Sequence, residues 1–313
     1  MSSFSANQRA IAIMVPAMFM LPGIDAIAKF LSDSVPAGQV SWARFAFQTL
    51  AMLPFVLCAG GLRWPRYFWL QALRGSAIAM ATLIFFAALR YLPLADAIAI
   101  FFVEPLLLTV FSAWFLGEPL GWRRMGAVLV GLTGAMVVVR PSFAVFGLAA
   151  LLPLAAAASF ALYLLLTRWL AQREESAHMQ FYAGVSGCVV MSVALLIGDS
   201  WQIGVLDPVT PTLAQWGLLA ALGALATFGH WLVVMAFKRA QAVVLAPLQY
   251  LEILGATLLG WIFFDELPDP IAWLGIVIII GSGLYVAHRE RVLQPALRIS
   301  NLALKPADQR LKL

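Results

Sequence analysis

Two glutamates occupy equivalent positions in two related stretches of a hydrophobic chain. Glu104 and Glu252 are 148 residues apart, and residues 88–118 align with residues 236–266 at that one offset without a gap. Only 6 of the 31 aligned pairs are identical, so the match depends on the glutamates, because acids are rare in this chain. Two carboxyl groups deep in a low-dielectric cavity can carry a proton or recognise a cation. The alternative is structural, with one or both acids bound to a helix N-terminus or a packed hydroxyl group.

A second group of ionisable residues lies toward one end of the first two apolar segments. Asp25 and Arg44 lie at similar depths from that end, and this predicts an ion pair between them. Lys29 follows Asp25 by one helical turn and is a competing partner for it. Such a pair either bridges the helices and closes this end, or contacts a substrate and acts as a gate.

Further candidates for substrate binding or coupling have a polar group on a mostly apolar segment. His230 is one, although a single buried histidine more often only bonds a neighbouring group. The others are amphipathic side chains: Trp231, Tyr163, Gln249 and Tyr250. Aromatic residues of membrane helices usually face lipid or the protein core, and this is the alternative for each of them. The chain has 2 cysteines, in separate apolar segments, and no cluster of histidines, so neither a metal site nor a cofactor is expected.

The elements that must position these residues are membrane-spanning helices. Hydrophobic residues make up 63% of the chain and charged residues 11%, whereas soluble domains carry about 25% charge. Apolar stretches near the ~20 residues that cross a bilayer recur without the alternation of a transmembrane barrel. Ten segments meet this criterion: 10–31, 38–59, 67–89, 94–115, 123–140, 145–168, 178–197, 213–237, 242–264 and 271–288. Leu92-Pro93 is expected to separate the third from the fourth segment, and Arg140-Pro141 the fifth from the sixth.

The basic residues predict the orientation of these segments. With a cytoplasmic N-terminus, 15 of the 20 Lys and Arg residues lie on the cytoplasmic side, three lie on the opposite side and two lie within segments. Loops 198–212 and 265–270 contain acids but no Lys or Arg, as expected for outside loops. Both termini are therefore predicted to be cytoplasmic. The net charge of +5 comes from basic residues on the predicted cytoplasmic side, which is a feature of membrane topology, and no nucleic-acid partner is expected.

Five segments in each half imply that the second half enters the membrane inverted. Residues 10–140 and 145–288 are predicted to form two inverted five-helix repeats, between a cytoplasmic N-terminus at 1–9 and a basic cytoplasmic tail at 289–313. Inverted repeats can pack in two related ways, which is a basis for alternating access. Pro22, Gly23 and Pro153 weaken the first helix of each half and are candidate hinges, with simple packing kinks as the alternative.

Two related motifs connect the chain with a known family. Residues 115–119 read Phe-Leu-Gly-Glu-Pro, and residues 263–268 read Phe-Phe-Asp-Glu-Leu-Pro; each is followed by a tryptophan and spaced glycines. With Pro105 in the fourth segment, these motifs resemble the ten-span EamA-type branch of the drug/metabolite transporter superfamily over residues 10–288. One departure is Ile253, which stands where that family commonly has proline.

The resemblance implies an all-helical secondary transporter of the bacterial-type inner membrane, and no ATP-binding loop is present in the sequence. The expected substrate is a small organic metabolite, with amino-acid export first and import of a vitamin or nucleoside derivative second. Protons are the candidate coupling ion, lipid is the surrounding partner, and a monomer is expected. Two other classes of protein fit the sequence less well. A membrane enzyme would use Ser282, but no second catalytic group accompanies it, and a channel does not fit inverted repeats with kinked helices.

Overall fold

A bundle of α-helices forms the protein. The computed structural model describes residues 6–58, 61–116, 122–170, 173–237 and 248–303, together with Arg239 and Leu245. All elements in these ranges are helical. They are α1 (Ala6–Leu31), α2 (Ala37–Cys58), α3 (Phe68–Leu89), α4 (Leu94–Phe101), α5 (Glu104–Leu116), α6 (Trp122–Phe146), a 3-10 helix (Gly147–Leu151), α7 (Leu152–Leu170), α8 (Ser176–Trp201), α9 (Leu213–Phe237), α10 (Leu251–Phe264) and α11 (Pro270–Ala303).

The ends of the helices follow the proline and glycine signals in part. The predicted break at Leu92-Pro93 is confirmed, because α3 ends at Leu89 and Pro93 precedes the first residue of α4. The predicted break at Arg140-Pro141 is wrong, because α6 continues to Phe146. The chain turns instead at Gly147, whose φ of +60° is accessible to glycine without steric cost. At the other end of the chain, α11 extends to Ala303, well past the predicted segment end at residue 288.

The predicted fourth segment is divided into two half-helices. α4 ends at Phe101, and α5 begins at Glu104. Pro105 has no N–H to donate to the carbonyl group of Phe101, so the regular hydrogen-bond ladder cannot continue there. The chain passes the break with a tighter bond from Val103 N to Ile100 O of 3.2 Å. In the equivalent ninth segment, α10 begins at Leu251, directly after Tyr250.

The helices pack in pairs that correspond between the two halves. α1 lies against α9 and α10, while α7, the first full helix of the second half, lies against α3 and α5. Two further pairs, α2 with α8 and α6 with α11, join the halves. α6 and α11 approach closely because Gly134 and Gly275 face each other's backbone, as small residues at helix interfaces allow.

Seven of the helical segments are long and apolar enough to cross a membrane: 8–31, 37–58, 68–89, 94–115, 147–167, 177–201 and 213–233. Three shorter apolar helices accompany them among the described residues, at 125–138, 251–264 and 270–285. Large apolar side chains such as Phe30, Leu50 and Trp114 are exposed on the outside of the bundle. Such a surface suits a hydrocarbon environment and not water.

Candidate functional site

The two repeat-related glutamates each lie in the first turn of a half-helix. Glu104 is the first residue of α5, and Glu252 is the second residue of α10. The positive end of a helix dipole stabilises a carboxylate by about 0.3–1 kcal/mol. This interaction is the basis of the structural interpretation of the two glutamates. A charge at the centre of a bilayer costs about 2.5–3.5 kcal/mol or more, so the dipole does not offset burial by itself. Glu104 Oε1 is buried and has no hydrogen-bond partner among the described residues.

Three carboxyl groups, one each from α1, α5 and α10, are neighbours in the structure. Glu252 lies within electrostatic range of both Asp25 and Glu104. The phenol of Tyr250 lies near Glu104, and its ring centroid is 5.4 Å from that of Phe102. We call Asp25, Glu104 and Glu252 the acidic lobe. The structure thus brings the twin glutamates of the repeat together, with an aspartate from the first helix.

Arg44 on α2 is buried and interacts mainly with neutral groups. Its Nη1 donates to Thr82 Oγ1 on α3, and its Nε is buried without a partner in the described part of the chain. Asp25 is within electrostatic range, but the two side chains do not form the direct ion pair that their depths predicted. The hydroxyl group of Thr82 holds the guanidinium instead. This contact was missed because no sequence pattern relates position 44 to position 82.

A second buried guanidinium lies beside Tyr163. Arg74 on α3 is 1% exposed, and its guanidinium carbon lies 5.0 Å from the centre of the Tyr163 ring. It donates to Thr167 Oγ1 at 2.8 Å, to Gln71 Oε1 at 3.0 Å and to Met179 O at 2.9 Å. These bonds join α3 to α7 and α8. Arg44 is also within electrostatic range of Tyr163, and we call Arg44, Arg74 and Tyr163 the basic lobe.

Lys29 binds a different acid from the one predicted. Its Nζ lies 3.0 Å from Glu266 Oε1 and donates to Leu92 O at 2.6 Å, so it does not compete for Asp25. The other carboxylate oxygen, Glu266 Oε2, accepts a bond from Leu94 N at 3.3 Å. We call these contacts the Lys29–Glu266 clasp. The clasp ties the end of α1 to the α3–α4 turn and to the loop before α11, three parts of the chain distant in sequence.

Aromatic rings adjoin both lobes. Phe160 on α7 lies 5.3 Å from Tyr163 and 5.4 Å from Phe101 on α4, and Phe101 lies 5.1 Å from Phe85 on α3, measured between ring centroids. Sequence reasoning missed this row. The only sequence signal for this row was the phenylalanine pair shortly before Glu104. That signal is weak because the chain has 21 phenylalanines. The row provides an apolar, aromatic wall beside the charged groups.

The remaining candidate binding residues have different positions. His230 Nδ1 lies 2.7 Å from Ala226 O of its own helix and the ring is within electrostatic range of Arg44, so it adjoins the basic lobe. Trp231 is 45% exposed and packs against Phe55 and Phe228, whose side chains are also exposed. It points in a different direction from His230, as adjacent helical residues do, and its role as a binding residue stays a prediction. Gln249 is half-buried beside Tyr250.

The candidate hinges lie in regular helix. Pro22 and Gly23 are inside the continuous helix α1, where Pro22 packs near Gly255 and Gly23 near Leu225. Pro153 is the second residue of α7, a position in the first turn where proline removes no helical bond. These contacts account for packing at each position, and a role in hinge motion stays a prediction.

Comparison with known proteins decides the family. A model of the EamA-like transporter family matches residues 8–140 and again residues 147–287. The chain belongs to the EamA-like transporter family. It is accordingly a multi-pass protein of the bacterial inner membrane, and the name of its family indicates transporters rather than enzymes. Ser282, the residue of the enzyme alternative, donates to Ile279 O of its own helix.

Named relatives of this EamA-like chain transport chemically different compounds. An S-adenosylmethionine uptake transporter of Rickettsia bellii is 29% identical over 269 residues, covering 85% of this chain and 89% of the relative. The pseudopaline exporter CntI of Pseudomonas aeruginosa is 29% identical over 290 residues, covering 90% and 96%. A riboflavin transporter of Vibrio cholerae is 28% identical over 273 residues, covering 85% and 89%.

A solved crystal structure shares the fold. It aligns with a TM-score of 0.61 at 20% identity, covering 91% of this EamA-like chain and 98% of the other.

Among the residues that the structure describes, no group of three His, Cys, Asp or Glu side chains is arranged to bind a metal ion.

Proposed function

We propose that this EamA-like protein is a secondary transporter with ten spans, in two inverted five-helix repeats, that moves a small organic metabolite by alternating access. The observation that carries the proposal is the meeting of Asp25, Glu104 and Glu252 beside the breaks of two half-helices. Broken helices with functional groups at mid-membrane are how many secondary transporters build their substrate sites. The twin family matches and the corresponding helix pairs of the two halves support the repeat.

The orientation is part of the proposal and can be tested alone. The distribution of Lys and Arg favours cytoplasmic termini and places the Lys29–Glu266 clasp at the periplasmic end. A reporter fused after residue 290 is expected to read cytoplasmic, and a reporter inserted in 198–212 periplasmic. A periplasmic C-terminus would exclude the ten-span inverted repeat.

The clasp favours a conformation closed at that end. It joins α1 to both half-helix regions, through Leu94 at the start of α4 and Glu266 just after α10. Alternating access requires such contacts to form at one end and to break when the substrate leaves from that side. The clasp takes the place of the Asp25–Arg44 pair as the candidate gate.

The substrate proposal starts with amino acids and their derivatives, because ammonium groups bind carboxylates. Export of amino acids is the first form of this proposal. The second form is import of a nucleoside-linked amino acid, which is favoured by relatives named for S-adenosylmethionine uptake. The third form is import of a vitamin, which is favoured by the relative named for riboflavin transport. Purified protein in proteoliposomes should exchange labelled for unlabelled members of one class, saturably. No counterflow of any class would reject the transporter proposal.

The glutamates are tested by removing charge while keeping size. If Glu104 or Glu252 carries a coupling proton, Glu→Gln should abolish accumulation driven by a pH gradient and spare exchange, because exchange needs no net proton movement. If the acid binds the cationic group of the substrate, both modes should weaken together. Wild-type rates in both modes for both variants would leave these acids as structural residues.

A further inference from the structure

The ionisable groups in the bundle centre are separated by sign. The acidic lobe comes from α1, α5 and α10, whereas the arginines of the basic lobe come from α2 and α3 with Tyr163 of α7 beside them. The two lobes are not joined by a direct ion pair, although Asp25 and Arg44 are within electrostatic range. The site therefore has a negative side and a positive side.

Each side presents a buried polar atom that has no partner among the residues that the structure describes. On the positive side it is Arg44 Nε, and on the negative side it is Glu104 Oε1. Both side chains are buried, at 7% exposure for Arg44 and 9% for Glu104. A buried donor or acceptor left unpaired costs about 1–3 kcal/mol, and more for a charged group, so each of these two atoms requires an explanation.

We infer that the substrate is dipolar, with an anionic group bound by Arg44 and a cationic group bound by the acidic lobe. A carboxylate accepts a charge-assisted bond from Arg44 Nε, and an ammonium or sulfonium group neutralises the acidic lobe. The inference rests on the proposed transport function and assigns Arg44 to substrate recognition. An uncharged aromatic metabolite would contact the row of phenylalanines but would leave both polar atoms unpaired.

Thr82 is the positioning residue for this recognition. Its hydroxyl oxygen accepts from Arg44 Nη1 and thereby restricts rotation of the guanidinium, whose Nε has no partner among the described residues. Rotation of the guanidinium would misplace the remaining donors, because the fork geometry of arginine is fixed. Thr82→Val keeps the shape of the side chain and removes the acceptor.

The test compares matched ligands on the full-length purified protein. The probes are the L-amino acids and S-adenosylmethionine, each paired with its amine that lacks the carboxylate, and riboflavin as a ligand without fixed charge. Dissociation constants are measured in detergent and counterflow in proteoliposomes. The protein variants are Arg44→Gln, Arg44→Lys and Thr82→Val, with Arg90→Gln, an exposed arginine beyond the end of α3, as the control.

We expect the wild-type protein to prefer one carboxylate-bearing ligand over its amine about tenfold or more. Arg44→Gln and Thr82→Val should reduce this preference and leave affinity for the amine nearly unchanged, and Arg44→Lys should retain part of it. Arg90→Gln should behave as wild type. If Arg44→Gln does not fold, Arg44→Lys and Thr82→Val still measure the preference.

Two results would overturn the inference and leave the transporter proposal intact. One is saturable counterflow of riboflavin or of the amines alone. The other is a carboxylate preference that is equal in wild type, Arg44→Lys and Thr82→Val. Absence of counterflow for every probe would instead reject the proposed function and the inference with it.

Discussion

Breaking the Lys29–Glu266 clasp should open the end of the protein at which α1 finishes. Lys29→Met removes the ammonium group that binds both Glu266 and the carbonyl group of Leu92, while it keeps most of the length of the side chain. Glu266→Gln keeps the size of its side chain and weakens both contacts. The matched control is Asp265→Asn, an exposed neighbour outside the clasp whose φ of +55° asparagine tolerates well.

The expected magnitude follows from the burial of the pair. The Lys29 side chain is 10% exposed and the Glu266 side chain is 30% exposed. Exposed ion pairs contribute about 0.2–1 kcal/mol, whereas breaking a fully buried pair costs about 3–5 kcal/mol. The clasp lies between these limits, so a loss of about 1–2 kcal/mol is expected. Because each 1.36 kcal/mol is a factor of ten, the ratio of open to closed molecules should rise about five- to thirtyfold.

The assay measures a distance across the clasp. Spin labels at Tyr91 and Leu267, which are 46% and 60% exposed, flank its two sides in a background with Cys58 and Cys188 replaced. Double electron–electron resonance should show a longer distance gaining population in Lys29→Met and in Glu266→Gln. In the double variant the effects should be less than additive, because each change removes the same interaction.

The reasoning would be refuted by unchanged distance distributions in both single variants. Strictly additive effects would also contradict it, since they would mean that Lys29 and Glu266 act separately. A similar shift in Asp265→Asn would show that the loop as a whole, and not the ion pair, sets the equilibrium.

Two glycine substitutions test the packing around the site, each with a control in the same helix. In Gly283→Ala the new methyl group would overlap the hydroxyl end of Tyr250, so substrate affinity should fall about tenfold. The control Gly281→Ala, whose methyl group meets nothing within 4 Å, should bind substrate as the wild type does. Equal dissociation constants for the two variants would show that Tyr250 does not contribute to binding. Gly134→Ala crowds α6 against α11 and should lower the free energy of unfolding by about 1–3 kcal/mol, measured by chemical unfolding. The control Gly126→Ala, whose methyl group meets no neighbour, should leave stability unchanged. Similar unfolding curves for the two variants would contradict close packing of these helices.

Helices were predictable from this sequence because apolar length alone selects them in a membrane. The segment predicted at 213–237 has the same bounds as α9, and Pro93 correctly separated α3 from α4. Finer backbone features were not predictable. Pro141 resembles a break, but α6 continues past it to the turn at Gly147, and nothing in the sequence distinguishes these two positions.

The acids of the site were predictable, whereas their partners were not. Glu104 and Glu252 stood out because ionisable residues are rare in membrane segments, and the repeat related them. Lys29 and Glu266 are far apart in sequence, and only the packing of α1 against α10 brings them together. Arg44 was correctly recognised as unusual but assigned to Asp25, because matching depth does not determine which helix face a side chain occupies.

The charges of the two lobes place a requirement on the transport cycle. Helix dipoles contribute about 0.3–1 kcal/mol for each glutamate, against about 2.5–3.5 kcal/mol or more for a charge at mid-membrane. Three carboxyl groups therefore cannot all remain charged and unpaired in the closed protein, and Arg44 is bound to Thr82 rather than directly to any of them. In the loaded state, the proposed substrate brings the cation that the acidic lobe lacks. After release, we expect a proton or a second substrate to take its place before the protein reorients, because otherwise the return step would include the full cost of the uncompensated charge. The same arrangement of charges therefore predicts both a dipolar substrate and coupling, by exchange or by protons.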